Sequence, residues 1–141
     1  MKNIVKITLV FLILLLTGCP EDKYPGTVLG VQNNSSSAVY FWYSSDYTIH
    51  HFPDISLPEA KPLYFTSVAA NSGAGMGEDD PDWIDIYSQL PDGKFTVFVF
   101  SKDVVDNTPW ETVRDDYLIL ERFDVTLEEL KALDYTLTYS P

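Results

Sequence analysis

Short runs of apolar, β-branched and aromatic residues alternate with turn-forming residues along most of the chain. Such runs predict strands, because successive side chains of a strand point to opposite faces of a sheet. In the last run, Tyr135, Leu137 and Tyr139 alternate cleanly with polar residues, which is the pattern of a half-buried strand. The predicted strands are residues 26–32, 38–43, 63–69, 94–101, 117–123 and 135–140.

The most apolar of these runs is 94–101, in which Phe and Val occupy both alternating faces. We therefore expect a central strand that is covered on both sides. The runs 26–32 and 38–43 are separated by the turn-forming sequence Asn-Asn-Ser-Ser-Ser at 33–37. We expect these two strands to pair as a hairpin.

Three segments have the features of short helices. Residues 81–90 carry apolar side chains at helical spacing behind a proline and several acids, which suit a helix N-terminus. The sequences Thr-Pro-Trp-Glu at 108–111 and Thr-Leu-Glu-Glu at 126–129 have the form of capping boxes. The first of these two helices should end near Asp115. The second should place three leucines on one face: Leu127, Leu130 and Leu133.

Together these elements predict an α+β fold. We expect a single domain over residues 26–141, with a largely antiparallel sheet of five to six strands and two to three short helices. A β-sandwich with helical inserts is the alternative. The prolines of residues 44–62 predict a loop, and the three glycines of residues 71–77 predict a small-residue linker.

The N-terminal residues have the features of an export signal. No acid occurs in residues 1–18, Lys2 and Lys6 lie at the start, and residues 7–16 are apolar except for Thr8. About ten apolar residues are too few to span a bilayer, which needs roughly 20, but they suit the core of a secretory signal. We predict that residues 1–18 are a cleaved signal peptide.

The apolar run ends in Leu16-Thr17-Gly18-Cys19. This tetrapeptide resembles the lipobox of bacterial lipoproteins, in which an aliphatic residue, a small residue and Gly or Ala precede Cys. The resemblance implies that the Cys19 thiol is joined to diacylglycerol, that cleavage occurs before Cys19, and that the new amino group is acylated, typically with palmitate. The alternative is an ordinary signal peptide or membrane anchor with a chance cysteine.

Residues 19–25 would then form a short lipidated tether of at most about 20 Å. Pro20, rather than Asp, follows the cysteine, and in enteric-type sorting this favours the outer membrane. Glu21-Asp22 resembles the acidic export tag of surface lipoproteins from gut anaerobes. We therefore expect a lipid-anchored outer-membrane protein, with the cell surface favoured over the periplasm-facing side.

The C-terminal part contains this order of residues: Trp110, Arg114, Tyr117, Leu118, Leu120, Arg122, Thr126-Leu127-Glu128-Glu129-Leu130, Leu133 and Tyr139-Ser140-Pro141. It resembles the closing segment of small uncharacterised lipoproteins from Bacteroides-type gut bacteria. The resemblance extends loosely to residues 33–43, and it departs from the family at Phe123-Asp124-Val125, where Tyr-Asp-Leu is expected. It implies a cell-envelope location and assigns no catalytic residue.

Composition narrows the possible partners. The chain has 9 Lys+Arg against 21 Asp+Glu, and loss of Lys2 and Lys6 with the leader would change the net charge from −12 to −14. Nucleic acid is not expected as a partner, because phosphate binding needs clustered basic residues. The single cysteine excludes an internal disulfide. We expect no cofactor, and a membrane contact through the lipid on Cys19.

An aromatic cluster is the candidate ligand surface. Flat rings with a polar tip are typical of sugar and peptide binding, but rings that alternate on a strand are equally typical of an ordinary core. Both interpretations stay open for this cluster. Its members are Tyr40, Trp42, Tyr43, Tyr47 and Phe52.

Metal and catalytic interpretations are weaker. The acidic run 78–85 has oxygen ligands for Ca²⁺ but lacks the spacing and central glycine of a known calcium loop. His50-His51 with Asp54 falls short of a zinc set, and adjacent histidines on a strand would point apart. Ser72 lies among glycines but without the strand–turn–helix context of a nucleophile elbow.

The sequence therefore predicts a lipid-anchored envelope protein that acts as a non-catalytic accessory or binding module. One alternative is a carbohydrate- or peptide-binding surface lipoprotein that uses the aromatic cluster between Tyr40 and Phe52. A second alternative is a small lipid-anchored hydrolase. An exposed Trp42 ring would favour ligand binding, and a fully buried ring would count against it.

Overall fold

The computed structural model describes residues 29–43, 56–76, 90 and 93–141 of the chain. These residues contain seven strands and three short helices. The strands are β1 (Leu29–Asn33), β2 (Val39–Tyr43), β3 (Thr66–Val68), β4 (Ser72–Met76), β5 (Lys94–Ser101), β6 (Glu121–Thr126) and β7 (Thr136–Tyr139). The helices are α1 (Lys102–Asn107), α2 (Trp110–Asp115) and α3 (Leu127–Ala132).

The strands form two mostly antiparallel sheets. The larger has the order β3-β2-β5-β6, and every pair in it is antiparallel. The smaller has the order β4-β1-β7, in which β1 pairs antiparallel with β4 and parallel with β7. The predicted α+β class with largely antiparallel strands is confirmed; the described residues contain seven strands, where five to six were expected, divided between two sheets.

β5 organises two cores, because both of its faces are buried. Phe95, Val97 and Val99 pack into a main core between the two sheets, together with Val31 and Leu137 of the smaller sheet. On the other face, a second core contains the remaining β5 rings, side chains of both helices that follow and one leucine of the loop before β3: Phe98, Phe100, Val105, Trp110, Val113 and Leu57. The predicted central strand with two covered faces is confirmed.

The predicted pairing of 26–32 with 38–43 is wrong, although both segments contain strands. β1 and β2 lie in different sheets, so the five residues between them cross from one sheet to the other. Polar turn residues predict a change of direction, but they do not determine whether the second strand pairs with the first or packs across the core. Here the apolar faces of both strands meet in the main core.

Asn33 holds this crossing together. Its side-chain amide nitrogen donates to the carbonyls of Ser37 at 2.8 Å, Ala69 at 3.0 Å and Val68 at 3.3 Å, and its Oδ1 accepts from the Ser35 amide at 2.9 Å. The side chain is fully buried. It therefore joins the end of β1 to the turn before β2 and to the link between β3 and β4.

The predicted linker at 71–77 is also wrong, because Ser72–Met76 forms β4 along the edge of β1. Gly73 serves close approach rather than flexibility. A Cβ there would lie 3.2 Å from the Val31 carbonyl oxygen and 2.8 Å from Oε1 of Gln32, which faces it across the two strands. Small residues therefore allow β4 to lie against β1.

The helices differ in how well the sequence predicts them. The sequence does not predict α1. The predicted capping box at 108–111 is wrong, because Thr108 is the C-cap of α1, and α2 begins after Pro109 without a side-chain cap. The end of α2 at Asp115 is confirmed. In α3 both bonds of the predicted capping box are present, and the backbone hydrogen bond from Thr126 lowers the pKa of Glu129.

The remaining predictions agree in part with the structure. β7 has its alternating pattern, but the predicted strand at 117–123 begins only at Glu121 and that at 63–69 only at Thr66. Leu130 is buried as expected, whereas Leu133 is half exposed beyond the end of α3. Of the predicted helix at 81–90 only Leu90 lies within the described residues, and it is buried in the main core.

Within the described ranges, no helix is long and apolar enough to cross a membrane.

The Asn33 junction predicts a local stability difference. Asn33→Ala should lower the free energy of unfolding by about 1–3 kcal/mol, because buried carbonyls lose their donor. Asn34→Ala is the matched control, since the exposed Asn34 side chain bonds only to exposed groups; its effect should stay within about 0.5 kcal/mol. Urea unfolding of both variants measures the difference. Equal effects would show that the Asn33 bonds contribute no more than a surface contact.

Candidate functional site

A row of side chains crosses the helix-facing side of the larger sheet. The register of β2, β5 and β6 places Trp42, Phe98 and Arg122 side by side. Trp42 stacks on Phe98 with ring centroids 5.7 Å apart and planes inclined by 25°, and Cζ of Arg122 lies 5.8 Å from the Phe98 centroid. Tyr117 meets the same ring edge-on at 6.5 Å.

Phe98 is fully buried beneath this group, whereas its covering side chains reach the surface. Trp42 is half-buried and Tyr117 is 43% exposed. We call Trp42, Tyr117 and Arg122 the aromatic surface. Leu118 and Leu120, both exposed, continue the apolar region along the chain. Amphipathic rings supported by a buried ring and placed beside a guanidinium are suited to a partly apolar, partly polar ligand.

Arg122 is held in place by charged and polar neighbours. Its Nε lies 2.9 Å from Oδ1 of Asp124, which also accepts a hydrogen bond from the Thr96 hydroxyl. Partial burial lowers the pKa of Arg122, but hydrogen bonds to Tyr117 and Asp124 outweigh this effect and raise the pKa overall. The guanidinium therefore stays charged and has a defined orientation beside the rings.

The position of Tyr117 depends on how α2 ends. The Tyr117 amide donates to the Arg114 carbonyl at 3.2 Å and the Leu118 amide donates to the Val113 carbonyl at 2.9 Å. This is a Schellman motif, whose left-handed residue is usually glycine. Tyr117 occupies that position with φ +52, at a cost of about 1–2 kcal/mol. A tyrosine therefore occupies a backbone conformation that disfavours it.

The predicted aromatic cluster is divided by the alternation of β2. Tyr40 and Trp42 face the helices, whereas Tyr43 packs on Phe95 at 5.1 Å on the side of the main core. Tyr47 lies outside the described residues, as do Phe52 and Cys19. Trp42, neither fully exposed nor fully buried, is the predicted member that lies on the aromatic surface.

Tyr40 is engaged in a network that fastens β2 to α1. Its hydroxyl accepts from Lys102 Nζ at 2.6 Å and donates to Asp106 at 3.1 Å. The hydrogen bond with Asp106 is the main cause of the raised pKa of Lys102, and the one with Lys102 is the main cause of the lowered pKa of Asp106. Because the Tyr40 hydroxyl already has two partners, we assign Tyr40 to the structure rather than to the ligand surface.

Residues 56–65, which we call the strap, cover the second core. The Trp110 indole donates to the Pro58 carbonyl at 2.9 Å, Arg114 to that of Glu59 at 3.2 Å, and Lys61 to that of Val105 at 2.9 Å. As expected for a loop, residues 56–62 form neither helix nor strand. Three side-chain bonds fix the strap nonetheless.

The nucleophile candidate lies within the described residues, whereas the metal candidates lie outside them. Ser72 lies in β4 and its hydroxyl donates to the Ala69 carbonyl at 2.9 Å. His50, His51 and Asp54 and the acidic run 78–85 lie outside the described residues. In the part of the chain that the structure covers, no group of three or more His, Cys, Asp or Glu side chains is placed to hold a metal ion.

Sequence reasoning missed Tyr117, Phe98 and Arg122 as neighbours of Trp42. They lie 56 or more residues from Trp42 along the chain, and only the folded structure brings them together, through the register of the sheet for Phe98 and Arg122 and through the ring contact with Phe98 for Tyr117. Comparison with protein-family models, curated proteins and solved structures found no match for this chain. The aromatic surface is therefore interpreted from its own chemistry.

The left-handed conformation of Tyr117 predicts an unusual order of stability. Tyr117→Ala loses the ring and keeps the strained backbone, whereas Tyr117→Gly loses the ring and relieves the strain. We expect the Gly variant to be more stable than the Ala variant by about 1 kcal/mol. Thermal or urea unfolding measures the difference. An Ala variant as stable as the Gly variant would contradict the left-handed assignment.

Proposed function

We propose that this protein is a lipid-anchored, non-catalytic binding module of the bacterial outer membrane. The observation that carries the anchor is the sequence Leu16-Thr17-Gly18-Cys19 directly after a short apolar run with a basic start. A cysteine at this point is the lipid acceptor of bacterial lipoproteins. Two or three acyl chains would hold the domain stably on a bilayer, because one chain alone binds only marginally.

We further propose that the aromatic surface binds a carbohydrate or an extended peptide. What supports this is the combination of a half-buried Trp42, an exposed Tyr117 on a strained backbone, and a fixed Arg122 guanidinium. Strained residues are retained where the surrounding structure or the function requires the side chain. Rings offer apolar faces to sugar or peptide groups, while the guanidinium offers hydrogen bonds.

The anchor predicts that Cys19 is the site of lipid attachment. Cells that express the full chain and grow with an alkyne-bearing palmitate should incorporate the label, and Cys19→Ser should abolish it, since a hydroxyl does not replace the acceptor thiol. In-gel fluorescence and intact mass measure the modification. Labelling that survives in Cys19→Ser, or parent protein without label, would refute the lipoprotein assignment.

Protease treatment of intact cells then tests on which side of the outer membrane the domain lies. A C-terminal tag that is lost while a periplasmic marker survives supports the cell surface. A tag that is lost only after the outer membrane is opened places the domain on the periplasmic side.

The ligand surface predicts saturable binding that depends on Tyr117. In calorimetric titrations with neutral oligosaccharides and with short uncharged peptides, we expect one class to bind. Tyr117→Gly should weaken that binding more than about tenfold, because loss of an aromatic anchor costs roughly 1.4 kcal/mol or more.

Leu133→Ser is the control, since it also removes an exposed apolar side chain, but one beyond the end of α3 rather than on the aromatic surface. It should bind like the parent. If neither class of ligand binds, or if Tyr117→Gly binds as tightly as the parent, the aromatic surface is not the ligand site.

A further inference from the structure

The strap presents the two most exposed large apolar side chains among the described residues. Leu63 is 89% exposed and Tyr64 is 85% exposed. Such a pair contributes almost nothing to the core, and exposed apolar groups that lie together mark interaction sites. Leu and Tyr are also the types of side chain that enter the interfacial region of a bilayer, with the Tyr hydroxyl left in water.

The pair is held from both sides rather than carried on a free loop. On one side, Lys61 is fixed through its bond to the Val105 carbonyl. On the other side, the Phe65 ring packs against Tyr40 at 5.1 Å and edge-on against Phe100 at 5.9 Å. Because the flanking residues are already ordered, contact through Leu63 and Tyr64 would cost little conformational entropy.

Three cations lie near the strap in a domain that is otherwise strongly acidic. Lys102 pairs with Asp106 and Arg114 pairs with Asp115, and Lys61 lies close enough to help lower the pKa of Asp106. Glu59 of the strap and Glu111 lie near Arg114 and help raise its pKa, so the three cations offset much of the local negative charge. These three cations are half of the six Lys and Arg residues that the structure describes. The strap is therefore a region where the acidic protein can approach an uncharged or zwitterionic surface without strong repulsion.

The opposite side of the molecule is polar. The smaller sheet turns Leu137 and Tyr139 into the main core, so Thr138 lies on its outer face, where it is exposed. Leu29 lies ten positions after Cys19, and that length of chain reaches at most about 36 Å, which matches the roughly 35 Å diameter of a domain of this size. A lipid on Cys19 would thus keep the whole domain close to the bilayer and allow either side to face it.

We infer that Leu63 and Tyr64 insert into the lipid interface and orient the domain with its strap toward the bilayer. This inference rests on the proposed lipid anchor, which supplies the proximity. The occupant is a zwitterionic lipid surface, because the apolar pair and the largely offset local charge suit it and the net negative charge disfavours anionic lipid. Lipidation holds the protein on the membrane, and the pair determines which side faces it.

The test measures the distance of two surface positions from lipid. An environment-sensitive fluorescent amino acid replaces the exposed Ala60 of the strap or, in the control, the exposed Thr138 on the opposite side. The full chain is expressed, purified from membranes and placed in phosphatidylethanolamine–phosphatidylcholine vesicles that contain nitroxide-labelled lipid. Quenching at position 60 should exceed quenching at position 138 several-fold. Leu63→Ser with Tyr64→Ser should remove the difference, and the high exposure of both side chains keeps this variant folded.

The two proposals fail in different ways. Intact mass shows whether Cys19 carries lipid, which tests the anchor alone. If the thiol is free, the same chain is coupled through Cys19, its only cysteine, to a maleimide phospholipid, and quenching still tests the orientation. Equal quenching at positions 60 and 138, or a difference that persists in the double variant, overturns the inference. The inference is also overturned if the probe at position 60 is shielded from water but is not quenched by the labelled lipid. In that case Leu63 and Tyr64 contact protein, such as a second copy of the chain.

Discussion

The burial of both faces of β5 is the constraint on which the rest of the structure depends. Phe95, Val97 and Val99 point to one side, and Phe98 and Phe100 point to the other. A single sheet with helices on one face would leave one of these rows in water. The smaller sheet covers the first row, while α1, α2 and the strap cover the second. The three layers therefore follow from one apolar strand.

Two layers of sheet require connections that cross between them, and the side-chain amide of Asn33 fixes the crossing from β1 to β2. One end of each of four strands, β1 to β4, lies at this side chain or within three residues of a group that it contacts. A buried amide is costly unless its hydrogen bonds are made, so it favours the arrangement that satisfies all of them. We therefore attribute to Asn33 the fact that the chain crosses from one sheet to the other after β1 instead of forming a hairpin.

The features that the sequence predicts well are those encoded by neighbouring residues. The two-sided apolar run of β5, the alternation of β7 and the capping box of α3 each need fewer than ten residues to recognise. The crossing between sheets, the strand formed by Ser72–Met76 and the row Trp42–Phe98–Arg122 depend on partners far along the chain. Tyr117 was misassigned to a strand because its left-handed conformation depends on α2 ending just before it.

The second core connects the two surfaces proposed to contact other molecules. Phe98 supports the aromatic surface, and Phe100 supports the strap through Phe65; both rings belong to β5 and lie 6.2 Å apart. Both surfaces therefore lie on the helix layer, and the smaller sheet turns a polar face the other way. If the strap faces the bilayer, a ligand must reach Trp42 and Tyr117 from the side, close to the membrane plane. The geometry thus favours a partner that is itself held at the membrane over one that diffuses freely.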